Sequence, residues 1–218
     1  MSHTLKVKLK SFCAASGALM VAACGPLISF GDDGPPAAIY TLRYEGPIKS
    51  ETPSGPVVYV DSPRMIEGLD GRDISVRFDD NRRTVLSGSA WSAHLPDLIR
   101  DYVTLALGSV SDANMVSEGG LDIKAGCRLG VKVWAMEFVP GQTIAEDKVE
   151  VAMQFSLVRL SDSRLLSHPT FRKSVGVSSS GGRGVVAAFS EAMEEAARDY
   201  GRWFKVESRA CTTEFYNP

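Results

Sequence analysis

The sequence lacks an apolar run long enough to cross a membrane, and it also lacks a surplus of positive charge. Its longest apolar stretch, from about Phe12 to Ala23, holds about a dozen residues, whereas a spanning helix needs roughly 20. The chain has 24 Lys and Arg against 26 Asp and Glu. Without residues 1–23, which carry three lysines and no acids, the net charge is −5. This balance argues against a nucleic-acid partner, because such proteins present a basic surface.

Histidines are scarce, and none stands in a catalytic or metal-binding pattern. Only three occur, and His94 and His168 have no H-x-x-x-H or C-x-x-C companion that would indicate a metal site. Ser89 lies in a predicted strand without the G-x-S-x-G elbow of a hydrolase. The sequence therefore predicts no catalytic residue, no metal and no cofactor. A small envelope hydrolase stays as the enzymatic alternative, because it needs only a nucleophile and a base within hydrogen-bond reach.

One glycine-rich motif resembles a dinucleotide-binding site. Residues 182–187 read Gly-Arg-Gly-Val-Val-Ala, which matches the G-x-G-x-x-A fingerprint of dinucleotide-binding folds. Only 31 residues follow Ala187, and they do not predict the further strand that a βαβ unit needs. We therefore interpret the motif as a flexible loop that enters a helix.

The N-terminal segment has the layout of a bacterial secretion signal. Three lysines precede the apolar run, and small residues then lead directly to Cys24. The sequence of residues 21–24, Val-Ala-Ala-Cys, resembles a lipobox. In lipoproteins the thiol of that cysteine is joined to diacylglycerol and the preceding peptide is removed. The alternative is an ordinary signal peptide in which the cysteine is incidental.

This interpretation divides the chain into three segments. Residues 1–23 are the predicted lipoprotein signal peptide. Residues 24–38 combine the lipidated Cys24 with a Gly- and Pro-rich linker. Residues 39–218 are expected to form a single periplasmic domain.

The four cysteines can be assigned separately under this scheme. Cys13 leaves with the signal peptide and Cys24 carries the lipid, so Cys127 and Cys211 remain as a pair. The periplasm is oxidising and allows disulfides to persist. We predict that this pair forms a disulfide. Two separate buried thiols are the alternative.

The remaining pattern predicts an α+β fold, with a mainly antiparallel sheet and two amphipathic helices packed on one face of it. Alternating apolar residues indicate the strands, and apolar residues at helical spacing indicate the helices. Strands are expected at 39–44, 57–60, 74–78, 83–91, 115–116, 128–135, 149–157 and 164–177. Helices are expected from about Leu95 to Gly108, and from the glycine motif to about Phe204.

Short motifs in a fixed order give the sequence a family resemblance. After Cys24 come Tyr40-Thr41-Leu42, then Val58-Tyr59-Val60 with Pro63, Leu69-Asp70, Arg72-Asp73-Ile74, and Trp91 shortly before Leu95-Pro96. In this order the chain resembles the ABC-type transport auxiliary lipoproteins, the PqiC-like components of lipid-trafficking systems built around MCE proteins. Around residues 74–78 it departs from the commoner tyrosine-rich form of the family.

The resemblance implies a non-catalytic protein of the cell envelope. Its implied partners are an MCE protein and the permease and ATPase of an ABC transporter, and phospholipid is the implied cargo. A homo-oligomer is also left open. The lipid anchor would attach the chain to the outer membrane at its periplasmic face, and Gly25 is compatible with that sorting. A structural envelope lipoprotein that handles no lipid is the alternative function.

Four residues are predicted to contact the partner or the lipid. They are Trp91, Leu95, Tyr102 and Trp134, which belong to the apolar edge of the predicted helix–sheet layer. In this hypothesis they either dock the partner or shield an acyl chain. The alternative is that the same side chains form an ordinary core.

Overall fold

A computed structural model describes residues 36–49, 54–80, 82–117 and 123–211. Cys24 and the predicted signal peptide lie outside the described residues. The strands are β1 (Ala38–Tyr40), β2 (Val57–Val60), β3 (Arg64–Met65), β4 (Asp73–Arg77), β5 (Arg83–Trp91), β6 (Asn114–Val116), β7 (Cys127–Val139), β8 (Lys148–Arg159), β9 (Arg164–Ser167) and β10 (Thr170–Gly176). The helices are α1 (Leu95–Val110) and α2 (Gly181–Glu207), with short 3-10 turns at Ile144–Glu146 and Ser208–Ala210. Neither helix of this described part is long and apolar enough to span a membrane.

Strand β7 is the axis of the sheet, which has ten strands within the described residues. Along one edge it pairs antiparallel with β8 from Cys127 to Val139. Along its other edge β2, β3 and β4 pair with it in parallel, one after another. Strands β9 and β10 pair antiparallel with β8. On the other side of β7, β5 pairs with β4, β1 pairs with β5, and β6 pairs with β2. The predicted α+β class is confirmed; its longest strand pairings are antiparallel, and its parallel pairings are short.

Both helices cover the same face of this sheet. Alternate residues of β8 from Val149 to Leu157 are buried, as their pattern predicts. They join the inward residues of α1 and α2 in one core cluster. Phe155 of β8 anchors the cluster, with ring centroids within 5.7 Å of Phe171, Tyr200 and Trp203. Aromatic contacts of this kind stabilise a core beyond their buried area.

Two expected strands are interrupted for identifiable reasons. The first ends at Tyr40 instead of residue 44, because the chain then leaves β5 and runs over α1. The strand expected over 164–177 divides into β9 and β10 at Pro169. Proline has no N–H for the ladder, and here its carbonyl still accepts a 2.9 Å bond from the Phe155 N–H.

The alternation in β7 shifts at Trp134. The pairing with β8 slips between Val133 and Ala135, as it does when a β-bulge inserts one extra residue. Beyond the shift Met136 belongs to the core cluster and Ala135 does not. Strict alternation along residues 128–135 would place Ala135 on the core face with Val133, but the extra residue reverses the faces of those that follow.

The glycine motif lies inside α2 instead of forming a loop before it, and α1 continues two residues beyond Gly108. A Cβ atom on Gly182 would collide with the Ser89 hydroxyl, and one on Gly184 with the Ser179 carbonyl. Glycine therefore allows the first turn of α2 to approach its neighbours closely.

The sheet face opposite the helices carries a buried acid. Glu137 is 2% exposed, and its carboxylate lies 2.9 Å from the Arg77 Nε and 2.7 Å from the Arg83 Nε. Arg77 also pairs with Glu150 at 2.7 Å. Burial raises the pKa of Glu150, but Lys148 and Arg77 outweigh it and hold that pKa below its usual value. Both acids of the group are thus paired with cations, as a buried charge requires.

Cys127 and Cys211 lie together, with their Cα atoms 5.2 Å apart and their sulfur atoms 2.06 Å apart. Cys127 begins β7, and Cys211 follows the last 3-10 turn after α2. This separation permits a disulfide. The bond would fasten the end of α2 to the central strand.

We predict that replacing Cys127 and Cys211 together with alanine lowers the free energy of unfolding. The two residues are 84 positions apart, and closing a loop of that size stabilises a fold by about 4–5 kcal/mol in the chain-entropy model. Denaturant unfolding with and without a reducing agent measures the effect. The double variant is the control, because reductant should leave it unchanged. Equal midpoints for oxidised and reduced wild-type protein would contradict the disulfide.

Candidate functional site

A groove lies between the two helices. Segment 43–47 closes one side of the groove, and the volume of the groove is about 450 Å³. Small side chains create the space, because Ala106 of α1 and Ala197 of α2 both line it. The full lining is Arg43, Tyr44, Glu45, Gly46, Pro47, Tyr102, Ala106, Val110, Ser190, Glu191, Glu194, Ala197 and Arg198.

Tyr44 and Tyr102 form the inner wall of this groove. Their rings meet edge to face with centroids 5.6 Å apart. The Tyr44 hydroxyl lies 2.6 Å from the Ser109 hydroxyl, which in turn donates to the Ala106 carbonyl at 2.7 Å. This chain of bonds holds segment 43–47 against α1.

A third tyrosine lies beneath the groove. Tyr200 is completely buried, and its hydroxyl has no hydrogen-bond partner among the described residues. Burial, followed by the nearby Tyr102 and Tyr44, raises its pKa well above the ordinary value. Burial also raises the pKa of Tyr102 to about 12, with a smaller contribution from Glu194. At neutral pH both hydroxyls therefore stay protonated and uncharged.

The charges of the groove lie at its rim. Arg198 pairs with Glu194 at 2.7 Å one helical turn away, and Glu191 and Arg43 are further lining residues. Aromatic rings and small apolar side chains dominate the interior. An apolar chain with a polar end matches this distribution, because its tail would meet apolar surface and its head the charged rim.

The four predicted contact residues do not form one site. Trp91 and Leu95 are each 1% exposed, and Trp91 packs on Phe189 of α2 at 5.7 Å. Tyr102 lines the groove. Trp134 is 39% exposed and lies beside Lys132, whose ammonium is 3.6 Å from its ring centroid. Of the four, only Trp134 is exposed, and Tyr102, which is 4% exposed, meets a ligand only at the wall of the groove.

Sequence reasoning misses one residue of the groove and one feature beneath it. The alternation of residues 39–44 predicts a strand through Tyr44, whereas Tyr44 crosses over α1. The helical spacing that predicts α2 places Tyr200 on its core face, where it lies, but this pattern carries no signal of the unpartnered hydroxyl.

The described residues offer little for catalysis. His94 lies beside the start of α1, with Nδ1 3.1 Å from the Asp70 carbonyl. No group of three metal-ligating side chains occurs in this part of the chain. Gly182 and Gly184 serve close packing, so nothing about them points to a phosphate.

Comparisons with known proteins identify a family and a fold. Residues 40–200 match the family model described as ABC-type transport auxiliary lipoprotein component. A Xanthomonas campestris protein of family DUF330 is 21% identical with a TM-score of 0.68, over 79% of this chain and 97% of that one. An uncharacterised protein is 14% identical with a TM-score of 0.62, over 78% and 99%. A hypothetical protein from Chlamydia trachomatis is 8% identical with a TM-score of 0.50, over 72% and 99%. A search of curated proteins finds no match.

We predict opposite effects from removing two tyrosine hydroxyls. Tyr200→Phe should keep or raise the free energy of unfolding, because it removes an unpartnered buried polar group that costs about 1–3 kcal/mol. Tyr44→Phe should lower it by about 1 kcal/mol, because the bond to Ser109 is lost. Denaturant unfolding of both variants tests this, and a destabilised Tyr200→Phe would show that the hydroxyl has a partner.

We also predict that stability falls above about pH 10, where a tyrosine in the unfolded chain loses its proton. Tyr102 keeps its proton in the folded state up to about pH 12. The unfolded state therefore binds fewer protons between these values, and the free energy of unfolding decreases as pH rises. Tyr102→Phe should make this decline shallower, whereas Tyr59→Phe, outside the groove, is the control. An unchanged slope in Tyr102→Phe would contradict the interpretation.

Proposed function

The chain belongs to the family of ABC-type transport auxiliary lipoprotein components, and from this membership we propose that it assists an ABC transporter in moving lipid between the two membranes of the envelope. The match over residues 40–200 is the observation that carries the proposal. In this role the chain performs no catalysis. The transporter ATPase supplies the energy, and an MCE protein bridges the periplasm.

The helix groove supports the lipid part of this proposal. Its volume of about 450 Å³ falls in the range of small-molecule sites. The protonated Tyr102 at its wall presents an uncharged surface to an apolar chain. The proposed cargo is a phospholipid, whose acyl chain occupies the groove while its head lies near Arg43 and Arg198.

The proposed attachment follows from the N-terminal sequence. Residues 1–23 are removed, and Cys24 carries the lipid that holds the chain at the periplasmic face of the outer membrane. Residues 24–38 are the linker.

The contact residues divide between two surfaces in this proposal. Tyr102 contacts lipid within the groove, and Trp134 belongs to a second surface, on the opposite side of the sheet. Trp91 and Leu95 act indirectly, because they fix the junction of β5 and α1. The Trp91 N–H donates to the Arg72 carbonyl at 2.7 Å, and the Leu95 N–H donates to Gly71 at 2.9 Å.

Pull-down of the intact lipoprotein from detergent-solubilised envelopes tests this function. We expect an MCE protein or the transporter subunits to be recovered by mass spectrometry, together with phospholipid. Cys24→Ala should reduce the recovery, because the chain no longer stays at the membrane. A clean preparation with neither partner nor lipid would favour the structural envelope role instead.

A second pair of variants separates lipid from partner. Ala197→Phe fills the groove, so it should lose the co-purified phospholipid and keep the protein partner. Ala187→Phe adds the same ring at an exposed position of α2 and is the matched control. Thermal melting must first show that both variants fold. Undiminished lipid with Ala197→Phe would contradict the groove as the lipid site.

A further inference from the structure

The sheet face opposite the helices carries a row of polar side chains. Arg64 of β3 is the register neighbour of Lys132 in β7, Lys132 is the neighbour of Gln154 in β8, and Gln154 is the neighbour of Thr170 in β10. The Gln154 amide donates to the Thr170 hydroxyl at 3.2 Å. Neighbouring strands are about 4.8 Å apart, so this row of four strands spans about 14 Å. Arg172 follows two residues after Thr170 on the same face.

Three cations on this face have no acidic partner. Within the described residues Arg64, Lys132 and Arg172 form no ion pair, although the chain as a whole is acidic. The nearby acids are already paired. Asp61 binds Arg128 at 2.8 Å, and Glu150 binds Arg77 and Lys148. We call Arg64, Lys132, Trp134, Gln154 and Arg172 the basic face.

Trp134 gives the basic face an amphipathic residue. The bulge in β7 places it between Val133, which faces the core, and Ala135, which faces away from it, and 39% of Trp134 is exposed. The Lys132 ammonium lies over its ring at 3.6 Å. This contact orients the lysine but does not neutralise its charge. Tryptophan beside Lys or Arg is typical of surfaces that lie at a membrane interface.

A shallow depression adjoins Trp134. Its volume is about 260 Å³, and Ala135 and Ala152 contribute to its lining. Arg172 and Ser174 also line it and bring a guanidinium and a hydroxyl, and Glu150 lines it with its carboxylate paired to Arg77 and Lys148. Guanidinium groups bind phosphate through paired hydrogen bonds. The depression therefore has the size and the donors for a phosphate-bearing head group.

From these features we propose that the basic face binds the head groups of an anionic phospholipid bilayer. Charge complementarity carries the assignment, since three unpaired cations lie on the same sheet face as an exposed tryptophan. A bilayer fits this better than an acidic protein, because Trp134 would enter the interface while the cations meet phosphates. The proposed lipid anchor at Cys24 would keep the chain near such a bilayer. The proposal depends on the anchor in this respect only.

Vesicle binding by the unlipidated chain from Gly25 onward tests the proposal without anchor or transporter. All described elements lie within the compact unit that begins at Pro35. We expect co-sedimentation with vesicles of phosphatidylcholine and phosphatidylglycerol, little with phosphatidylcholine alone, and weaker binding as salt increases. The triple variant Arg64→Gln, Lys132→Gln, Arg172→Gln should bind the anionic vesicles roughly 100-fold more weakly.

A matched triple variant controls for the loss of charge. Arg82→Gln, Arg202→Gln and Lys205→Gln remove the same charge at exposed sites elsewhere and should bind as wild type does. Brominated phosphatidylglycerol should quench the fluorescence of Trp134, and Trp134→Phe should lose that quenching. Trp91 and Trp203 remain as the unquenched background, because one is buried and the other half-buried.

Two results would overturn the proposal. One is equal binding of wild type and the basic-face variant to anionic vesicles. The other is a wild-type chain that does not bind these vesicles and instead binds polyglutamate through the same three residues. That result would assign the basic face to an acidic protein partner. Neither result depends on the pull-down, so the transport function and the basic face can fail independently.

Discussion

The pairing of β7 with β8 is the constraint on which the rest of the molecule depends. It joins strands of 13 and 12 residues, and the period of two in each strand divides the side chains between two faces. The apolar face becomes the floor for both helices. The other face stays polar, since nothing among the described elements covers it with a further layer.

The opposite edge of β7 explains the mixed character of the sheet. Residues 57–77 follow this edge as three short strands, all parallel to β7. They behave as one interrupted strand, and Pro63 and the turn before Asp73 lie at the interruptions. Each piece makes few ladder bonds, so its position depends on burial of residues such as Val58 and Ile74. The ion group of Glu137 with Arg77 and Arg83 secures the last piece on the polar side.

The sequence was most informative where the periodicity was long. The alternation from Val149 to Leu157 and the helical spacing from Phe189 to Tyr200 depend only on local geometry, and both were predicted. The parallel pairing could not be predicted, because a short strand such as Arg64–Met65 has no periodicity of its own. The bulge at Trp134 was also hidden, since one inserted residue changes register without changing composition. The groove was missed because it arises from the distance between Ala106 and Ala197 on different helices.

Two surfaces of opposite character therefore follow from a single strand pair. The helices on one face leave a groove whose inner tyrosines are uncharged, which suits an acyl chain. The bulge on the other face exposes Trp134 among unpaired cations, which suits a phosphate-bearing head group. The related structures share this fold at 8–21% identity, a range in which side chains on the surface are free to differ. Function in this chain must therefore be argued from its own side chains, which place an uncharged groove and a basic face on opposite sides of one sheet.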